Sequence, residues 1–160
     1  MYQIKRGTTV IWEGKASGKQ HKVIMQEDRV VVNISKATPI NFKLGDTIVV
    51  YGQTYKLNRY ESVSRINTTV GYTYSVEFEA LYYDLGKWEF YSLDASNQLK
   101  ESEVFIMSDA SVILDLIVRN ANRSSSGWTV GTVDATEVMQ YAYSNSKLLT
   151  VLQDVADKNS

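Results

Sequence analysis

Hydrophobic and polar residues alternate most regularly along Tyr72–Tyr82, "YTYSVEFEALY". Because successive side chains of a β-strand point to opposite faces, this pattern predicts a strand with one buried and one wet face. The predicted buried face contains Tyr72, Tyr74, Val76, Phe78, Ala80 and Tyr82. The predicted wet face contains Thr73, Ser75, Glu77, Glu79 and Leu81.

A β-hairpin is predicted just before this strand, in "GDTIVVYGQTYKLNRYESV", Gly45–Val63. Ile48, Val50 and Gly52 share one face of its first strand, and Tyr51–Thr54 is the predicted turn. The alternating positions of the return strand are Tyr55, Leu57 and Arg59.

Shorter β patterns complete the first half of the chain. They predict two strands in residues 1–13 around Gly7, and further strands at Val23–Gln26, Arg29–Ser35 and Lys87–Leu93. Polar or proline-containing stretches predict a loop at Gly14–Gln20, a turn at Glu27–Asp28 and a corner at Thr38–Pro39.

Helical spacing appears after "EVFIMS", residues 103–108, which predicts one more strand. Ser108 or Asp109 can cap a helix that "NRSSSG" ends, because their side-chain oxygens accept from free amides of the first turn. The buried stripe predicted for this helix is Val112, Ile113, Leu116, Ile117 and Ala121.

The segment "SGWTVGTVD" predicts a core strand, in which Trp128, Val130 and Val133 pack against both helices of this half. A last helix is predicted to begin near residues 144–146. Its apolar stripe is Leu148, Leu149, Val151, Leu152, Val155 and Ala156.

Composition sets the domain organisation and excludes several classes of function. A run of strands followed by helices predicts an α+β fold, and the polar stretch at 94–102 divides it into a β-barrel-like domain, 1–95, and a smaller mixed domain with two helices, 96–160.

The net charge of −1 gives no general attraction to nucleic acid or anionic membrane. The absence of cysteine excludes disulfides and thiolate sites. We expect no signal peptide and no membrane helix.

Candidate chemistry is sparse. His21, the only histidine, has no nucleophile and acid placed with it by the sequence. The loop "GKASGKQ" lacks one residue and the Ser/Thr of a phosphate-binding loop. Glu77 and Glu79 lie about 7 Å apart by strand rise, within reach of an inverting glycosidase pair, but such pairs usually come from different elements.

Three aspartates on or near the helices, Asp109, Asp115 and Asp154, do not form a calcium loop. The sequence therefore predicts no catalytic, cofactor-binding or metal-binding residue, and no cofactor. Two other functions stay open at this point. One is a glycan-binding β module, motivated by the 11 tyrosines and by Trp12, Trp88 and Trp128, and the other is a carboxylate hydrolase.

The order of the motifs resembles a known family. "FKLGDTIVVYGQTYKLNRY", "YTYSVEFEALYYDLGKWEF", a helix, "SGWTVGTVD" and the helix "NSKLLTVLQDVADKN" follow one another as in the N-terminal part of phage tail hub proteins. These are the tail-tip or baseplate hub proteins, including the prophage tail endopeptidase and tail-associated lysin group. The resemblance extends from about Ile40 to the end of the chain.

The resemblance implies a non-enzymatic structural protein of the virion tail, assembled in the bacterial cytoplasm. A small β-barrel would help to form a ring around the tail lumen, usually from three copies. The partners would be other copies and other tail proteins, such as distal tail, fibre or spike proteins, with no membrane and no sequence-specific nucleic acid. If the barrel lines the lumen, the wet face with Glu77 and Glu79 would repel DNA.

Overall fold

A computed structural model describes residues 1–23, 27–60 and 63–159 of the chain. The first eight strands are β1 Tyr2–Arg6, β2 Thr9–Gly14, β3 Ser17–Val23, β4 Glu27–Lys36, β5 Thr47–Val50, β6 Gln53–Lys56, β7 Val63–Thr68 and β8 Gly71–Ala80. The following elements are a 3-10 helix Leu81–Lys87, β9 Ser92–Leu93, β10 Leu99–Glu101, β11 Glu103–Ser108, α1 Ala110–Ser124, β12 Met139–Ser144 and α2 Leu148–Lys158. The predicted α+β class is confirmed.

The chain divides into two units, Met1–Leu81 and Tyr82–Ser160. The division falls where β8 ends and the 3-10 helix begins, because the alternation of β8 stops at Ala80. Residues 82–95, which the sequence analysis assigns to the first domain, belong to the second unit. The polar stretch at 94–102 is therefore a connection within the second unit, where β9 pairs with β10.

Strand β8 organises an antiparallel sheet of eight strands in the described part of the first unit. One edge of β8 pairs with β4 along its length, from Arg29↔Glu79 to Lys36↔Tyr72. The other edge is shared by β6, at Tyr55↔Ala80, and by β7. The strand order is β2-β1-β5-β6-β8-β4-β3, with β7 beside β8, and the sheet curls into a half-barrel.

The buried face of β8 follows the predicted alternation. Tyr74, Val76, Phe78 and Ala80 are buried, together with the inward residues of the neighbouring strands. Burying each large apolar side chain contributes about 1.5–3 kcal/mol, so this face is the main source of stability in the first unit. Tyr82, predicted on the same face, lies in the 3-10 helix instead.

The predicted loop at Gly14–Gln20 is wrong for most of its length, because β3 begins at Ser17 and pairs with β4 from Ser17↔Asn33 to Val23↔Glu27. A Cβ at Gly18 would collide with the carbonyl oxygen of Val31, so glycine permits the close approach. An edge strand also tolerates the polar residues that suggested a loop.

The predicted turn at Glu27–Asp28 is wrong as well, since both residues begin β4. Of the strand predicted at Val23–Gln26, Val23 ends β3, and residues 24–26 lie outside the described residues. Lys87–Leu93 is a strand only at Ser92–Leu93.

The hairpin of β5 and β6 turns more tightly than predicted. Tyr51 and Gly52 both have positive φ, 51° and 76°, as a two-residue type I′ turn requires. Gln53 and Thr54, predicted in the turn, already pair with Val50 and Val49. The predicted alternation survives this shift, since Ile48, Val50, Tyr55 and Leu57 are all buried.

The second unit contains a two-stranded ribbon and two helices. Strand β11 coincides with the predicted "EVFIMS" and pairs with β12 from Glu103↔Ser144 to Ser108↔Met139. Asp109 caps α1 as predicted, accepting from the Val112 amide, and its hydrogen bonds with Ser111 and that amide lower its pKa. The core combines one ribbon face with the stripes of both helices. Val112, predicted in the stripe of α1, is exposed.

The segment "GWTVG" is not a strand. Residues 127–138 have no regular secondary structure, and β11 pairs with β12, which the sequence analysis does not predict. Trp128 is half-buried against the core, whereas Val130 is exposed. Two residues of α1 hold the segment. The Asn122 side chain donates to the Trp128 carbonyl and accepts from the Trp128 amide, and the Ala110 amide donates to the Thr136 hydroxyl.

Two buried polar side chains form hydrogen bonds with backbone groups that lie outside the strands and helices. Asp46, fully buried, accepts from the Arg6 guanidinium at 2.8 and 2.9 Å and from the Lys43 amide at 2.8 Å. Asn120, also buried, bonds the amide and the carbonyl of Tyr91. Each side chain supplies a hydrogen bond that a neighbouring strand would otherwise supply to these backbone groups.

We expect Asp46→Ala to lower the free energy of unfolding by about 3 kcal/mol, because it leaves an amide and a guanidinium without their buried acceptor. Urea denaturation measures this change. Asp134→Ala, at an exposed aspartate, should leave stability nearly unchanged. Equal stabilities of the two variants would contradict the role given to Asp46.

Candidate functional site

His21 lies on β3, directly opposite Arg29 of β4, and is half-buried. An arginine cannot act as the acid that orients a catalytic histidine, so this placement does not build a nucleophilic site. Within residues 1–23, 27–60 and 63–159, no group of three or more His, Asp or Glu side chains is placed to hold a metal ion.

Glu77 and Glu79 point to the same face of β8, as predicted, but both carboxylates are engaged by arginines. Arg29 binds Glu77 at 2.6 Å and also binds Glu27, and Arg59 binds Glu79 and lies 3.7 Å from Glu77. These ion pairs lie on the surface that joins β4, β6 and β8, because cross-strand neighbours share a face.

The network changes two sequence predictions about this face. Glu79 is buried, so the prediction of a fully wet face is wrong at that position. Arg29 and Arg59 offset much of the negative charge of Glu27, Glu77 and Glu79, so the face is less acidic than the wall expected for a DNA-repelling lumen. We call this network of Glu27, Arg29, Arg59, Glu77 and Glu79 the charged clasp, because it links neighbouring strands.

The tyrosines that motivated a glycan-binding role are largely used in packing. Tyr74 is buried, edge-on to Phe42 at 5.3 Å, and Tyr72 lies beneath the guanidinium of Arg65. Tyr55 is buried, and its hydroxyl donates to Asp28. Burial is the main cause that raises the pKa of Tyr55, and the hydrogen bond to Asp28 raises it further.

The tryptophans do not form a sugar platform either. Trp12 is buried, and Trp88 and Trp128 pack edge-to-face at 6.1 Å against the core of the second unit. Most of these aromatic residues therefore pack within their own unit, whereas Tyr51 and Tyr60 expose 80% and 67% of their surface.

Three edge strands of the first sheet differ in how their free backbone groups are protected. In β2, Ile11 is an extra residue that makes a bulge against Ile4 and Lys5. In β3, Lys19 and Lys22 project from the edge strand. Bulges and lysines are common devices that prevent an edge from pairing with another chain.

Strand β7 carries neither device. Its described residues form a hairpin with β8, and we call residues 63–70 the arm. The residues of β7 beyond Val63 are exposed, and Ile66 and Val70 expose 63% and 87% of their surface. The exposed residues of β7 are mostly polar and include Arg65, so the feature that allows contact with another chain is its free edge.

A second exposed apolar surface lies on the ribbon of the second unit. Phe105 and Met107 expose 70% and 64% of their surface and stand opposite Ala142 and Gln140 on one face, which we call the ribbon face. The sequence predicts "EVFIMS" only as a strand with four consecutive apolar residues. Four such residues place two on each face, and in a two-stranded ribbon on helices one face stays uncovered.

No helix in the described part of the chain is long and apolar enough to span a membrane.

Comparison with known proteins identifies one fold relative. No protein-family model and no curated protein matches the chain. Among solved structures, the chain is similar to the prophage tail protein gp18 from Listeria monocytogenes EGD-e, with a TM-score of 0.60, 12% identity and 90% of this chain covered. The match covers 39% of gp18, so this chain spans well under half of that protein's length. The similarity shows a shared fold.

We expect a double-mutant cycle of Arg59→Ala and Glu79→Ala to give a coupling energy of about 1 kcal/mol, because Glu79 is buried in the charged clasp. The matched control is the pair Asp115 and Arg119 on α1, whose carboxylate is exposed, and for which about 0.3 kcal/mol is expected. Chemical denaturation of the four variants of each cycle supplies the energies. A coupling near zero for Arg59 and Glu79 would contradict the clasp.

Proposed function

We propose that this protein is a structural component of a phage or prophage tail hub and assembles into a ring at the tail tip or baseplate. The observation that carries the proposal is the fold shared with a prophage tail protein over 90% of this chain. The order of sequence motifs, including the Gly45–Val63 hairpin and the long strand β8, supports the same class.

The surface chemistry supports action by contact rather than by catalysis. The paired carboxylates of the charged clasp lack a free general acid or base arrangement, and His21 faces an arginine. The ribbon face with its exposed Phe105 and Met107, and the free edge of β7, are instead surfaces of the kind that bind protein. Other copies of the chain and neighbouring tail proteins, such as distal tail, fibre or spike proteins, are the proposed partners, in a tail assembled in the bacterial cytoplasm.

Immunogold labelling of intact virions tests the proposal. Antibodies raised against this chain should label one end of the tail of particles induced from a lysogen that carries the gene. Particles with the gene deleted serve as the control and should lack both label and normal tails. Label confined to the capsid, or virions with normal tails and no label in either strain, would overturn the proposal.

A further inference from the structure

Residues 127–138 form a connection without helix or strand, which we call the strap. It is bonded to α1 near each end, at Trp128 and at Thr136. Between these points, no backbone–backbone hydrogen bond within the described part of the chain involves residues 129–135. Irregular connections of this length are uncommon inside a compact unit and are usually functional. The backbone groups of the strap are therefore open to another strand.

The strap has the composition of a strand. Thr129, Val130, Thr132 and Val133 are β-branched, which is the residue class most enriched in β-sheets. The sequence predicts a strand here, yet no strand pairs with the strap within the described residues. Local preference and overall fold usually agree in natural proteins, and a strand partner from outside the unit removes the conflict.

Strand β7 offers the reciprocal feature, a strand with a free edge. Arg65 pairs with Tyr74 and Ile66 pairs with Thr73, so the two side chains point to opposite faces of the sheet. A partner lying on one face would contact only one of them. A strand added at the edge contacts both, because its own side chains alternate in the same way.

Each of the two segments carries a single charge, and the two charges are opposite in sign. Arg65 is the only charged residue within residues 63–76, and Asp134 is the only one within residues 124–136. Both residues are exposed. A single pair of opposite charges on two otherwise neutral strands favours one register of pairing, because opposite charges directly across a strand pair are stabilising.

The apolar residues select the direction of this pairing. When Arg65 stands opposite Asp134 in an antiparallel pair, Ile66 stands opposite Val133 on the other face. In a parallel pair with the same charge contact, Ile66 would stand opposite Ala135. A cross-strand pair of two β-branched apolar residues is the more stabilising, so the antiparallel direction is favoured.

The net charges of the two units favour contact between unlike units. Met1–Leu81 contains 11 basic and 7 acidic residues, a net charge of +4, and residues 82–160 contain 6 and 11, a net charge of −5. Opposite fields favour the encounter of the first unit of one copy with the second unit of another. Pairing of two β7 edges would instead bring two positive units together.

We infer that β7 of one copy of this chain pairs with the strap of a second copy as an antiparallel strand. The second copy is the occupant because one chain carries both the free edge and the oppositely charged free strand. The contact is heterologous, so each copy keeps one free β7 edge or strap for the next copy, and a ring closes when the rotation allows it. The inference rests on the proposed function for its need of self-association.

Disulfide trapping tests the register, because the chain contains no cysteine. Ile66→Cys and Val133→Cys proteins, mixed and oxidised, should give a cross-linked mixed dimer, since directly opposite Cβ atoms lie about 5 Å apart. Thr132→Cys is the matched control: its side chain points to the other face, and with Ile66→Cys it should give at most a trace. Mixed product no more abundant than in this control, or strong homodimer from Ile66→Cys alone, would overturn the inference.

A charge exchange gives a readout that does not depend on cross-linking. Arg65→Glu and Asp134→Lys should each weaken self-association about tenfold, and the combined variant should restore it, because opposite charges face each other again. Lys15→Glu makes the same charge change in the first unit, between β2 and β3, and should have much less effect. Thermal unfolding checks that every variant keeps its fold. Equal or greater loss in the combined variant would contradict the contact.

Amide hydrogen exchange distinguishes strand pairing from side-chain contact. The amides of residues 129–135 should exchange more slowly in the self-associated protein than in the dilute single copy, because pairing gives them backbone acceptors. Unchanged exchange in this segment on self-association would overturn the inference.

The outcomes separate this contact from the proposed function. Label at the tail end, with no specific trapping and no charge rescue, would leave the tail role standing and remove the contact. Specific trapping and rescue without label on the tail would establish the contact and remove the tail role. If another protein, or the strap of the same chain, pairs with β7, the mixed cysteine proteins give no specific dimer, which overturns the inference.

Discussion

The outward N–H and C=O groups of edge strands are the constraint on which this protein's organisation depends. The sheet of the first unit curls into a half-barrel, and β2, β3 and β7 pair on one side only within the described residues. Each unpaired backbone group must bond water or another chain. The bulge at Ile11 and the lysines of β3 favour water, whereas β7 exposes Ile66 beside its free edge. The features that make β7 a liability in an isolated chain make it useful in an assembly.

Buried polar side chains hold the backbone where strands do not. Asp46 fastens the loop before β5 to β1, and Asn120 fastens the backbone at Tyr91 to α1. Asp28 and Tyr55 join β4 to β6 inside the curled sheet. Because each of these groups is bonded to a partner from a distant part of the chain, each specifies one arrangement of elements rather than adding general cohesion. A rigid scaffold of this kind can present the arm and the ribbon face at fixed positions within their units.

Sequence patterns predict those elements whose signal is local. The alternation of β8, the Gly52 turn and the Asp109 cap each occupy a few neighbouring residues, and all three are found in the structure. Strand β3 is missed because its pairing depends on Gly18 approaching Val31, which no local pattern records. "MQYAYS" carries the alternation of β12, yet the Val and Trp residues of "GWTVG" give a stronger local β signal. The β12 register with β11 decides between them.

The candidate surfaces depend even more on register than the fold does. The sequence places Glu77 and Glu79 on one face, but only the pairing of β8 with β4 and β6 brings Arg29 and Arg59 to them. The exposure of Phe105 and Met107 likewise follows from β11 having a single strand partner and helices on one face. Such information is carried by residues far apart in the chain.

Cryo-electron microscopy of the assembled tail tip tests the central claim most directly, which is that this chain works by offering shaped β surfaces to neighbouring subunits. The account predicts copies of the chain arranged around the tail axis, with the free edge of β7 and the ribbon face covered by neighbouring subunits. A reconstruction in which the chain is absent from the tail, or in which β7, Phe105 and Met107 all remain exposed to solvent, would contradict it.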